Sequence, residues 1–182
     1  EYQLLEKIRH TPKTIFLAGN ADFALGIVTG NNKKYISSVK TKDNEVILKG
    51  SDNCKYHTNP SPNYIVFNPQ NFQQVAPIEM YRAPEKLLYR FISSQLVFAY
   101  DDKQTLSLNS CNIVIPKLEG LHIKYILAIL NSRVAQFIYK MDFHSVKVLR
   151  SHIENIPIPD VDADTQNIII QTVEPLINGL PP

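Results

Sequence analysis

Cysteine is scarce in this chain: Cys54 and Cys111 are the only two in 182 residues. Two thiols make no disulfide framework, so the expected setting is reduced and cytoplasmic. No run of about 18 apolar residues occurs, so a membrane span has no candidate. The chain begins Glu1-Tyr2-Gln3-Leu4-Leu5, with neither an initiator methionine nor a signal-peptide pattern. That start is expected of a fragment excised from a longer protein. Glycine is also sparse. There is no Gly-x-Gly-x-x-Gly, no Gly-Lys-Ser/Thr and no Gly-x-Ser-x-Gly, and Gly26 and Gly30 are too few to cradle a dinucleotide.

Metal and nuclease chemistry lack their ligands too. Cys54-x-x-His57 is one half of a zinc pattern without a second pair nearby. Asp101-Asp102 is the only adjacent acidic pair before residue 150. It falls where a turn is expected, and a magnesium site needs more carboxylates. His10, His144 and His152 are isolated. Asn59-Pro60-Ser61-Pro62 is close to the Asn-Pro-Pro-Tyr motif of amino-methyltransferases, but Ser61 and Pro62 break it. No catalytic residue and no metal ligand can be named.

Basic residues are missing from the tail. All 19 Lys and Arg lie at or before Arg150, with 12 of the 17 acidic residues. Residues 1–150 therefore carry +7 and residues 151–182 carry −5. A basic body is the electrostatic precondition for phosphate binding, although charge fluctuations of this size also occur without it.

What is present reads as one α+β domain of 44% hydrophobic composition. Leu4, Leu5 and Ile8 have helical spacing until Thr11-Pro12 ends it. Residues 24–50 alternate as strands, with turns near Gly30 and Asp43-Asn44. Residues 51–85 are punctuated by prolines and asparagines, which predicts a long excursion with one short strand at Tyr64–Phe67. Such a loop either carries specificity or is decoration. Leu87–Ile92, Leu96–Tyr100, Thr105–Leu108 and Asn112–Ile115 predict a β-meander. Apolar spacing predicts one long helix over His122–Met141. Val146–Leu149 suggests a last strand. Pro157 and Pro159 forbid regular structure after it. Thr165–Asn178 predicts a final helix capped by Asp164 or Thr165. The expected architecture is a twisted, mostly antiparallel sheet packed against a long helix, with a C-terminal helix. Residues 1–12 are expected to end a connecting helix from an upstream domain, 13–160 to form the main domain and 161–182 a helical tail.

Gly26-Ile27-Val28-Thr29-Gly30-Asn31-Asn32-Lys33-Lys34-Tyr35-Ile36 reads as a basic hairpin, since glycine and asparagine tolerate positive φ. Lys33, Lys34, Lys40 and Lys42 cluster around it. Lys86 and Arg90, four apart on a strand, share a face. Lys147 and Arg150 flank another apolar patch. Asn31, Asn32, Asn53, Asn63, Gln73 and Gln74 are base readers by type, or turn-forming and solvated amides.

Four blocks in order resemble the TaqI-like C-terminal specificity domain, the target-recognition part of restriction–modification DNA methyltransferases. They are Gly26–Ile36; Pro84–Asp101 with the Leu108-Asn109-Ser110-Cys111-Asn112 turn; Ile126–Lys140 with Leu130-Asn131-Ser132; and Val148-Leu149-Arg150 through Pro159. Residues 42–76 show no firm match. The resemblance implies double-stranded DNA as partner, with Thr29, Asn31, Asn32, Lys33, Lys34, Lys40, Lys86, Arg90, Lys147 and Arg150 facing it. It also implies an upstream methyltransferase domain that methylates adenine at N6, holds S-adenosylmethionine and is in some relatives fused to a nuclease. This fragment itself would carry no cofactor. The rival expectation is an assembly module whose 56–84 excursion binds a partner subunit.

Overall fold

Lys86-Leu87-Leu88-Tyr89-Arg90 has apolar side chains on both faces, so as a strand it must be covered on both sides. The computed structural model, which describes residues 1–181, shows how. Helix α1 (Tyr2–Arg9) leads into strands β1 (Thr14–Ile15) and β2 (Ala21–Ala24). Helical turn α2 (Asn32–Tyr35) runs directly into β3 (Ile36–Ser37), followed by β4 (Glu45–Leu48), β5 (Tyr64–Ile65) and the short helix α3 (Ile78–Tyr81). Strands β6 (Lys86–Arg90), β7 (Phe98–Asp101), β8 (Leu106–Ser107) and β9 (Cys111–Pro116) come next. Helices α4 (Ile123–Leu130), α5 (Arg133–Asp142) and α6 (Arg150–Glu154) precede β10 (Ile158–Pro159) and α7 (Ala163–Ile177).

The central sheet has the order β2-β9-β6-β7 and is antiparallel throughout. Leu87 and Tyr89 point to one face, where Leu127, Leu130, Ile138 and Ile153 of the helices close a core. Leu88 and Ile113 point to the other. There a second sheet, β3-β5-β4-β8, supplies Ile47, Leu48, Ile65 and Leu106. The molecule is therefore three layers deep: helices, central sheet, second sheet. Leu87 and Leu88 are both fully buried, each contributing roughly 1.5–3 kcal/mol. The fold is α+β, mostly antiparallel, with a C-terminal helix, as the sequence indicates.

Several elements depart from the sequence reading. The long helix is two, because Asn131 ends α4 and Ser132 caps α5, accepting from the Ala135 N–H at 3.1 Å. Of the expected meander, β8 leaves the central sheet and pairs parallel with β4. Pro159 does sit in a strand: β10 pairs antiparallel with β1 as a two-stranded ribbon. A proline fits there because its missing N–H can face away from the partner. Helix α7 starts earlier than expected, capped by Asp162, whose carboxylate accepts from the Thr165 N–H at 2.8 Å.

Two glycines mark close approaches. A Cβ on Gly26 would sit 2.1 Å from the Leu108 carbonyl oxygen, and one on Gly50 would sit 2.5 Å from that of Ser110. The Leu108–Ser110 turn is gripped from both sides. The Gly26 N–H donates to Asn112 Oδ1 at 2.9 Å, and the Gly50 N–H donates to Ser110 Oγ at 3.0 Å.

Candidate nucleic-acid interface

The segment Gly26–Ile36 is not a hairpin. Ile27 bridges Leu108 in parallel, and Val28 bridges Gln74 antiparallel. The strand partners of this segment are thus the 107–109 stretch and the distant 67–76 loop. Past Gly30 (φ +78°), the chain enters α2, capped by Asn31, whose side chain accepts from the Lys34 N–H at 3.2 Å. Asparagine at the cap converts the expected turn into a helical one. The lysines on it remain where the sequence put them, at the exit and exposed.

Thr29 is a correction. It is 4% exposed, its hydroxyl accepts from the Asn31 N–H at 3.1 Å, and it donates to Asn32 Oδ1. Thr29 shapes the turn from within and does not face solvent. Asn31 and Asn32 keep exposed side chains while serving that turn.

The two loops make one surface. Gln73 lies against Gly30, where an added Cβ would meet Gln73 Cβ at 3.2 Å. Tyr35 and Phe72 pack edge to face, centroids 5.4 Å apart, and Phe72 continues to Phe67. Beside this aromatic anchor, Asn68, Gln70, Asn71, Gln73 and Gln74 are all exposed. Lys33 and Lys34 make no ion pair among the described residues, and Lys34 Nζ lies 5.1 Å from the Tyr35 ring centroid. Lys40 is held beside β5: its Nζ donates to the Asn44 carbonyl at 3.0 Å and sits 5.4 Å from the Tyr64 ring centroid.

Lys86 is the second correction. It shares a face with Arg90, but that face is roofed by the second sheet. Lys86 is 0% exposed and donates to Asp101 Oδ2 at 2.6 Å and to the Tyr81 carbonyl at 2.8 Å. Burial pulls its ammonium below the usual lysine range, against the opposing pull of Asp101. It cannot reach a phosphate. Arg90 is half-buried, with Nε donating to the Asn53 carbonyl at 2.7 Å.

Lys147 and Arg150 are exposed. Lys147 bridges Ile92, just beyond the end of β6, and the Arg150 guanidinium lies 4.8 Å from the Phe23 ring centroid while its Nε donates to Glu154 at 2.8 Å. Both lie at the sheet end where Arg90 and Ala24 finish their strands. Of the candidate amides, Asn53 is a core residue: fully buried, with Nδ2 donating to the Leu88 carbonyl at 3.0 Å. Asn63 is half-buried. The sequence reading missed Asn68, Gln70 and Asn71 as surface amides. Their signal was the density of five amides in seven residues, 68–74. Cys54 and His57, the half zinc pattern, close a turn by a Cys54 N–H to His57 carbonyl bond of 3.0 Å. Among the described residues no cluster of three or more His, Cys, Asp and Glu is placed to hold a metal ion, and no helix is long and apolar enough to cross a membrane.

The family model of the TaqI-like C-terminal specificity domain matches residues 45–158. The chain belongs to that family. It is a DNA target-recognition domain of a restriction–modification system. The match also covers 45–76, where the motifs alone gave no firm correspondence. Solved structures agree in fold. A chain of a type I R-M system aligns at TM-score 0.57 and 14% identity, over 98% of this domain and 43% of that chain. The HsdS subunit from Thermoanaerobacter tengcongensis aligns at TM-score 0.55 and 13% identity, with the same coverage. The domain thus spans less than half the length of the solved chains it matches. No curated protein matches it.

Proposed function

We propose that the domain reads a short duplex sequence through the loop pair 29–35 and 68–74, for a methyltransferase that modifies adenine at N6. The observation that carries this is the convergence of the two loops. Five exposed amides lie against a turn bearing two unpaired lysines, joined by the Val28–Gln74 bridge and the Tyr35–Phe72 contact. The residue types suit a division of labour. Lysines hold phosphates and set register, whereas Asn and Gln pair bidentately with adenine N6 and N7 in the major groove.

The target adenine is turned out of the duplex by the catalytic partner, while this domain holds the flanking pairs. S-adenosylmethionine belongs to that partner. The glycine faces of this domain at Gly26 and Gly50 are filled by the Leu108 and Ser110 backbone, which supports assigning the cofactor to the partner. The sequence reading placed the catalytic domain upstream in the same chain. The alignment of 98% of this domain to an HsdS subunit favours a second arrangement, a specificity subunit with the methyltransferase as a separate chain.

Fluorescence anisotropy of the full-length protein with labelled duplex tests the reading. Binding should weaken steeply with salt, because each phosphate contact releases counterions. Absence of binding at low salt contradicts it.

A further inference from the structure

A groove of about 280 Å³ opens beside the edge strand β7, lined by Lys55, Arg133, Gln136, Phe137 and Lys140. Three cations line it and no carboxylate does. Arg133 and Lys140 are exposed and stand seven residues apart on α5, two turns along one face, or about 10 Å. Neither makes an ion pair among the described residues. Lys55 approaches from the segment that covers β7, where Tyr56 bridges Ala99. Its Nζ donates to the Asn131 carbonyl at 3.3 Å, which leaves two of its three donors free. Gln136 Oε1 accepts from the Leu96 N–H at 2.8 Å, and its Nε2 has no partner among the described residues. The groove offers positive charge and free lysine and arginine donors with no carboxylate to meet them.

Its place in the fold is informative. Phe98 begins β7 opposite Tyr89, the Arg90 N–H donates to the Val97 carbonyl just before it at 3.3 Å, and Lys147 bridges Ile92 two residues further on. The groove therefore lies at the same end of the central sheet as Arg90, Lys147 and Arg150, on its β7 side.

We propose that this groove is a second phosphate-binding site, which holds the duplex backbone at the sheet end while the loop pair reads the sequence. It rests on the DNA reading above. A span of about 10 Å lets the two side chains take separate phosphates, since one strand carries a charge about every 3.4 Å along the duplex axis. The site positions the duplex and carries no sequence preference.

The test compares three forms of the full-length protein across a salt series: unaltered, Arg133→Gln with Lys140→Gln, and Lys33→Glu with Lys34→Glu. Lys55 is kept because its bond to Asn131 steadies the loop. The groove variant should weaken binding to target and non-target duplexes by the same factor. It should also flatten the slope of log affinity against log salt by about 1.8, from about 0.9 per lost contact. Its melting temperature should not change, since both side chains are exposed. Native affinity and slope in the groove variant, beside a loss in the Lys33/Lys34 variant, overturn the groove and leave the DNA reading intact. Native DNA binding with lost association to the methyltransferase reassigns the groove to a protein contact and overturns it equally. No DNA binding by the unaltered protein at low salt removes the DNA reading, and the groove with it.

Discussion

Asn131 hydrogen-bonds both main-chain groups of Phe98. The Phe98 N–H donates to Asn131 Oδ1 at 3.0 Å, and Asn131 Nδ2 donates to the Phe98 carbonyl at 2.9 Å. A side-chain amide thereby imitates a neighbouring strand along the outer edge of β7, at the point where α4 ends. Edge strands need such cover, because their open N–H and C=O groups invite other chains. The Phe98 carbonyl has a second donor, the Tyr56 N–H at 2.7 Å, whereas its N–H has only Asn131. Asn131→Ala should therefore cost roughly 1–3 kcal/mol, the penalty of one buried orphan donor. Asn131→Asp should not rescue it, since the second carboxylate oxygen would face the Phe98 carbonyl. Denaturant titration of both variants checks this. Native stability in Asn131→Asp would show that the amide nitrogen contributes nothing.

The pair Lys86–Asp101 makes a second prediction. Asp101 is 4% exposed and also accepts from the Thr105 N–H at 3.1 Å and the Thr105 hydroxyl at 2.7 Å. Asp101→Ala would leave the Lys86 ammonium buried without its counter-charge, at a cost of about 3–5 kcal/mol. Adding Lys86→Met should recover much of that loss. A double variant no more stable than Asp101→Ala contradicts the account.

His152 makes the stability pH-dependent. Its Nδ1 accepts from the Leu149 N–H at 3.1 Å, and its ring stacks on Phe143 at 4.1 Å. Burial holds its pKa below the ordinary value of 6.5. The unfolded chain therefore binds this proton more readily than the folded one, and the contribution present above pH 6.5 is lost as pH falls below it. Melting temperature should drop between pH 7 and pH 5.5, and His152→Gln should show a smaller drop. An equal drop in both forms would place the sensitivity elsewhere.

The strands were legible because short apolar runs between turn residues can be little else, and 86–115 fell on four of them. The split of the long helix was not, since Asn131 and Ser132 interrupt no apolar spacing. Their effect depends on Phe98, 33 residues earlier. The turn at Gly30 misled for the same reason. Val28, just before it, bridges Gln74, 46 residues later, and local glycine chemistry could not reveal that. Lys86 looked like a surface cation because a lysine on a strand normally is one. Only the second sheet, built partly from β8, buries it. The basic character of Lys33 and Lys34 was readable because exposure at a turn needs no long-range information. The amide cluster at 68–74 was in plain view as composition, but its position beside the lysines was not.

The most direct test of the central claim, that the loop pair reads sequence, is selection from a randomised duplex pool. The full-length protein and its Gln73→Ala, Gln74→Ala variant are compared at one salt concentration. The unaltered protein should enrich one short motif containing adenine. The variant should retain its affinity for non-target duplex and lose roughly 1–3 kcal/mol of discrimination for each base contact removed. Enrichment of the same motif to the same degree by both proteins would contradict the claim.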